Sequence, residues 1–107
     1  MEPITDQAAL DRVTQLPSAL LLKHGAHCPI SANAREQVTA FAAAHPDVPV
    51  YALEVTEHAQ LSRAAAERLG VRHESPQLIK LERGHVQWFT AHYDIEAGDI
   101  AERLRAS

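Results

Sequence analysis

The sequence predicts an α/β domain built on one mixed β-sheet with helices on both faces. Segments with apolar residues at helical spacing alternate with short apolar runs of strand length, the pattern of strand-crossover-strand units. The last two strand-like runs are separated by a tight turn, which makes them an antiparallel hairpin. The resulting order is αβαβαββα. Size limits what this order can build: 107 residues, 46% apolar and 22% charged, suit one globular core and no second one. A chain of this length buries roughly 65% of its unfolded surface, so no staple is needed. Residues 1–107 are expected to form a single domain, since no internal repeat, low-complexity tract or linker-like shift divides them.

Each element has its own warrant. Thr5 and Asp6 offer an N-cap and a first-turn acid to a first helix, in which Ala9, Leu10, Val13 and Leu16 recur at helical spacing before Pro17. Ser18 to His24 is an apolar run of strand length, as for a strand buried on both faces, and Gly25 ends it. From Pro29 onward, Ile30, Ala34, Val38, Phe41 and Ala42 mark one stripe of a second helix that reaches about His45 and stops at Pro46. Val48 to Val55 reads as a second strand, parallel to the first through a right-handed crossover. Thr56 can cap a third helix with Leu61, Ala65 and Leu69 inside and Gly70 as its terminator. Val71 to Gln77 is a connecting loop. Leu78–Glu82 and Val86–Thr90 flank Arg83-Gly84-His85 as the hairpin, and at least one of Trp88 and Phe89 belongs in the core. Asp94 can cap a last helix with Ile100, Ala101 and Leu104 on its buried side. This order matches the thioredoxin-like fold.

Charge and composition remove several function classes. Ten Lys and Arg against fourteen Asp and Glu leave a net charge of -4, so the domain has no general attraction for nucleic acid or for anionic membranes. The chain starts Met1-Glu2-Pro3 with no basic and apolar leader, and its longest run without Asp, Glu, Lys or Arg spans only His24 to Ala34. A cytoplasmic, soluble protein is expected, with monomer as its state. The most informative count is one cysteine, Cys28, which excludes an intramolecular disulfide and any cysteine-rich metal knuckle.

Cys28 stands between the end of a buried strand and the start of an amphipathic helix. Pro29 suits the first helical position, which puts Cys28 at the N-cap with the first-turn amides facing its sulfur. That environment favours an anion by about 0.3–2 kcal/mol and can bring the thiol from about 8.5 to about 7. The plain alternative is a buried cysteine used as a small hydrophobe; the flanking Gly25, His27 and Pro29 do not read as core. Ser31 holds the place of the second sulfur in a Cys-x-x-Cys motif. A hydroxyl cannot resolve a mixed disulfide, so any adduct formed at Cys28 must leave by attack of an outside thiol. Ser31 either faces solvent as a first-turn polar residue or donates a hydrogen bond to the thiolate. His27 tunes the thiolate or simply faces solvent.

Taken with Lys23-His24 and Gly70-Val71-x-His73-Glu74-Ser75-Pro76-Gln77, the Cys-Pro-Ile-Ser segment resembles the monothiol bacilliredoxin (YtxJ-like) family of thioredoxin-fold proteins. The resemblance spans nearly the whole domain. It implies that Cys28 removes bacillithiol, a low-molecular-weight thiol, from S-thiolated client proteins, with bacillithiol as thiol cosubstrate and no tightly bound cofactor. It also assigns Pro76 to a cis-proline beside the active site and Ser75 to presenting its backbone to the incoming disulfide. Gly25 and Ala26 stand where the family carries small hydroxyl residues, and Ala91-His92-Tyr93 stands for its Ser-His-Trp.

Other chemistries are less well supported. His24, His27 and Cys28 lie on one tight loop with no fourth ligand in sight, so no metal site is expected. A Cys-x5-Arg oxyanion loop fails because residue 34 is alanine, and Arg35 comes one position late on a helix. The reading from a different class is a non-catalytic thioredoxin-like redox sensor or binding module in which Cys28 is reversibly modified.

Overall fold

In a computed structural model, which describes residues 1–106, the chain forms a five-stranded mixed sheet with four α-helices around it. The elements are β1 (Glu2–Pro3), α1 (Gln7–Gln15), β2 (Ala19–His24), α2 (Pro29–Ala44), β3 (Val50–Glu54), α3 (Ala59–Leu69), β4 (Gln77–Glu82), β5 (His85–Ala91) and α4 (Ala97–Ala106). The strand order is β1-β3-β2-β4-β5. β3 runs parallel to β1 and β2, whereas β4 is antiparallel to both β2 and β5.

The period of two along β2 sorts the core into two layers. Leu21 points with Leu53, Ile79 and Leu81 toward Leu10 and Val13 of α1 and Ala65 of α3. Leu20 and Leu22 point the other way, with Leu78, toward Ala34, Val38 and Phe41 of α2 and Ile100 of α4. β2 is therefore covered on both faces, as its unbroken apolar run requires. Both crossovers from β2 and β3 leave from the same end of the sheet, so the β2–α2 loop, the end of β3 and the start of β4 meet there.

Several boundaries differ from expectation, each for a local reason. β1 has no counterpart in the expected order, because two residues carry no periodicity. It forms because Ile4 is buried and its amide donates to the Ala52 carbonyl at 2.8 Å. Asp6, not Thr5, is the N-cap of α1, its carboxylate accepting from the Ala9 amide at 2.8 Å. β3 starts at Val50, after Pro49, which has no amide to give the ladder. Thr56 does not cap α3. The N-cap is His58, without a side-chain bond, while the Thr56 amide is drawn to the Glu54 carboxylate. The hairpin turn is tighter than a three-residue loop: Glu82 pairs with His85, and Arg83 (φ 50°) and Gly84 (φ 80°) make a two-residue turn. Asp94 lies in a 3-10 turn over His92–Asp94, and α4 begins only at Ala97, whose amide donates to Gln37 Oε1 at 2.9 Å. Trp88 packs partly buried against the α2 side of the core, whereas Phe89 is 48% exposed.

Candidate active site

β2 ends at His24, the chain turns through the buried Gly25, and α2 starts at Pro29. Cys28 is the N-cap, extended at φ -95° and ψ 126°, and its carbonyl takes the Ala32 amide at 3.0 Å. Pro29 occupies the first turn, where its missing N–H costs nothing. The thiol is half-buried. Its side chain makes no ordinary cap hydrogen bond, yet the amides of Ser31 and then Ile30 favour the thiolate and hold the group below the usual thiol range. Burial opposes them, and the Ser31 hydroxyl and the Arg35 guanidinium add smaller pulls in the same direction.

Ser31 does not face solvent. It is completely buried, and its Oγ accepts the Gly25 amide at 2.9 Å. The hydroxyl proton is left to point at the sulfur, so one serine closes the loop and stabilises the thiolate. A Cβ placed on Gly25 would lie 3.7 Å from Ser31 Oγ, 3.8 Å from Cys28 Cβ and 3.9 Å from Ser75 Oγ. Those three distances place Ser75 in one small cluster with the cysteine. The Ser75–Pro76 peptide is cis, Pro76 is buried, and the Pro76 carbonyl accepts the His92 amide at 3.0 Å. Cys28, Pro29, Ser31, Ser75 and Pro76 thus belong to one end of the sheet. His27 is exposed beside them, without a hydrogen bond among the described residues.

Three further groups shape this site in roles that the sequence does not assign to them. Glu54, the last residue of β3, lies in register with His24. Its Oε1 accepts the Ala26 amide at 2.9 Å and the Thr56 amide at 3.1 Å, and its Oε2 accepts the Glu57 amide. Burial pushes this carboxyl up, but the amides of Glu57, Thr56 and Ala26 outweigh it and hold the pKa at about 2. Arg35, one position late for an oxyanion loop, turns back from α2 over the cysteine loop. Its Nη1 donates to the Gly25 carbonyl at 2.8 Å and lies 3.1 Å from His24 Nδ1. Burial and the Arg35 charge both lower the His24 pKa, against a weaker pull from Glu54. Lys23 is 1% exposed and its Nζ lies 2.7 Å from His73 Nδ1. The only advance signal for Glu54 is that two parallel neighbours end together; Lys23 and His73 stand in the motif that carries the family resemblance but nothing pairs them, and Arg35 gives no signal, because the partners come from backbone or from fifty residues away.

Among the described residues, no three His, Cys, Asp or Glu side chains converge as a metal site would require, and no helix is long and apolar enough to cross a membrane.

A lone thiol capping the helix after a buried strand, with a cis-proline loop against it, defines a thioredoxin-fold oxidoreductase site. Comparisons with known proteins agree. A solved structure with a thioredoxin fold, to which an oxidoreductase role is ascribed, is 31% identical and superposes with a TM-score of 0.87 over 94% of this chain and 90% of its own. Thioredoxin from Fasciola hepatica (13% identity, TM-score 0.79, 99% of this chain and 98% of that one) shares the fold. So does a mutant thioredoxin from Halobacterium salinarum NRC-1 (21%, 0.77, 98% and 89%). The family described as monothiol bacilliredoxin BrxC matches residues 2–100, and the chain belongs to that family.

Proposed function

We propose that this protein is a monothiol thiol-disulfide oxidoreductase that strips bacillithiol, or a similar low-molecular-weight thiol, from protein mixed disulfides. The observation that carries the reading is Cys28 at an N-cap with the buried Ser31 hydroxyl, rather than a second sulfur, at the resolving position. The Cys28 thiolate attacks the small-thiol sulfur of the mixed disulfide. One S–S bond breaks and one forms, and the client cysteine leaves as a thiolate that takes a proton from solvent. A second small thiol, as thiolate, then attacks that same sulfur in the Cys28 adduct. This yields a small-molecule disulfide and returns Cys28 as thiolate, so the electrons come from the external thiol. Ser75 and the cis-Pro76 loop offer backbone to the extended chain around the client disulfide. A single free thiol and the need for a thiol pool fit a reducing compartment such as the cytoplasm.

The test is turnover on a peptide carrying a bacillithiol mixed disulfide, with the glutathione counterpart alongside. Wild type turns over repeatedly, Ser31→Ala does so more slowly, and Cys28→Ser not at all. Equal rates for wild type and Cys28→Ser refute the mechanism, and Cys28 adducts with glutathione alone refute the choice of thiol. A single oxidation of Cys28 without repeated turnover makes the protein a sensor instead.

A further inference from the structure

Lys23 alternates with Leu22 along β2 and shares the face of Leu21, so its stem lies on the α3 side of the sheet, sealed from solvent. No carboxylate receives its ammonium among the described ion pairs; the partner is His73 Nδ1 at 2.7 Å, with Ser62 Oγ of α3 at 3.4 Å from the same nitrogen. Directly across the ladder from Lys23 stands Gln77, fully buried, whose Nε2 donates to the Arg72 carbonyl at 3.1 Å. Two buried side chains on adjacent strands thus tie down the segment that leads into Ser75 and Pro76. The Gln77 Oε1 atom is buried without a partner, and Gln77 does not titrate, so of the two ties only the Lys23–His73 bond can respond to pH. The charged groups acting on His73 are Lys23 from β2, Arg63 from α3 and Glu74 of its own segment. The outer face of His73 lines an open surface pocket with Val55, Ala59, Ser62 and Arg63, so solvent protons reach the ring.

We propose that Lys23 and His73 form a clasp that positions the Arg72–Pro76 segment against Cys28, and that proton uptake by His73 opens the clasp and weakens substrate docking. Neutral His73 accepts from Lys23 through Nδ1; protonated His73 has no lone pair to offer and confronts a second cation at hydrogen-bond distance. Burial lowers the Lys23 pKa to about 8. Burial, and then the Lys23 and Arg63 charges, lower that of His73 below its ordinary 6.5. The clasp is therefore closed at neutral pH and opens only below the ordinary histidine range. Lys23 and His73 act through the segment, as positioning residues.

The kinetic readout rests on the exchange reaction proposed above; the structural one does not. KM and kcat for the bacillithiolated peptide are measured against pH, with iodoacetamide alkylation of Cys28 as a separate gauge of the thiolate. In wild type, KM rises about three- to tenfold as pH falls through the His73 titration, the range one net hydrogen bond supports, while alkylation follows the thiolate alone. His73→Asn, which keeps an acceptor near the Nδ1 position and does not titrate, has no such step. Lys23→Met has a raised KM at every pH. A step that persists in His73→Asn, or wild-type KM in Lys23→Met, overturns the clasp. Deuterium exchange of the Arg72–Ser75 amides, corrected for intrinsic rates, reads the clasp without turnover. Faster exchange across the same pH interval in wild type, and not in His73→Asn, supports it; unchanged exchange overturns it. Absence of peptide turnover with that exchange pattern intact refutes the exchange reaction and leaves the clasp standing.

Discussion

Replacing Glu54 by Gln isolates the group that anchors the cysteine loop to the sheet. The carboxylate accepts three amides, from Ala26, Thr56 and Glu57, whereas a Gln side chain presents one acceptor oxygen and an NH2 that faces those donors. A fall from 4.5 to about 2 corresponds at face value to about 3 kcal/mol, at about 1.36 kcal/mol per unit. Glu54 lies near the surface, and solvent screening reduces the stabilisation to about 1–2 kcal/mol. Because the folded-state pKa is depressed, this stabilisation is fully present above about 4.5 and is lost as pH falls toward 2. Urea denaturation of wild type and Glu54→Gln at pH 7 should therefore differ by about 1–2 kcal/mol. Repeating the pair at successively lower pH should shrink the gap, since a protonated Glu54 resembles the variant. A gap of the same size at about pH 7 and at about pH 2.5 would refute the assignment to the ionised carboxylate. The Ala26 amide, once released, should also speed hydrogen exchange in the Cys28 loop, and unchanged exchange there would sever Glu54 from the site.

Three shorter predictions test the remaining parts. Ser31→Ala removes the acceptor of the buried Gly25 amide and should cost about 1–2 kcal/mol in urea denaturation, while the midpoint of Cys28 alkylation against pH moves up. Arg35→Ala should move that midpoint in the same direction by less than Ser31→Ala does, because its charge is the weakest of the pulls on the thiol; the larger shift in Arg35→Ala would reverse the ranking. Gly84→Ala should destabilise the fold by about 2–3 kcal/mol, since it forces a side chain into positive φ. The new Cβ would stand 2.8 Å from the Thr14 carbonyl of α1, so a melting temperature equal to wild type would contradict the tight turn.

The local code is strong where side-chain spacing decides structure. The unbroken apolar run of β2 and the 3.6-residue stripes of α1 to α3 are legible because each element hides one or both faces in a core. Pro29 places Cys28 at the N-cap because proline has a preferred helical position whatever surrounds it. Spacing misleads at Thr56, a good cap residue by type, because the Glu54 carboxylate takes both its amide and its hydroxyl, and the N-cap of α3 falls two residues later, at His58. At Ser31 spacing leaves two roles open, solvent or a hydrogen bond to the thiolate, and the Gly25 amide, which needs a buried acceptor, draws the hydroxyl inward beside the sulfur.

Sequence by itself determined the α/β layering, the single thiol, its helix-terminal position and the absence of a resolving sulfur, all properties of residue identity and short-range spacing. Tertiary structure alone decided which groups surround that thiol. β2 and β3 end in register, which hands Glu54 to the cysteine loop. Arg35 folds back because the Gly25 carbonyl is within its reach, and Lys23 meets His73 because β4 returns antiparallel beside β2. Such partnerships join residues up to fifty positions apart through hydrogen bonds a few ångströms long, and no periodicity along the chain encodes them.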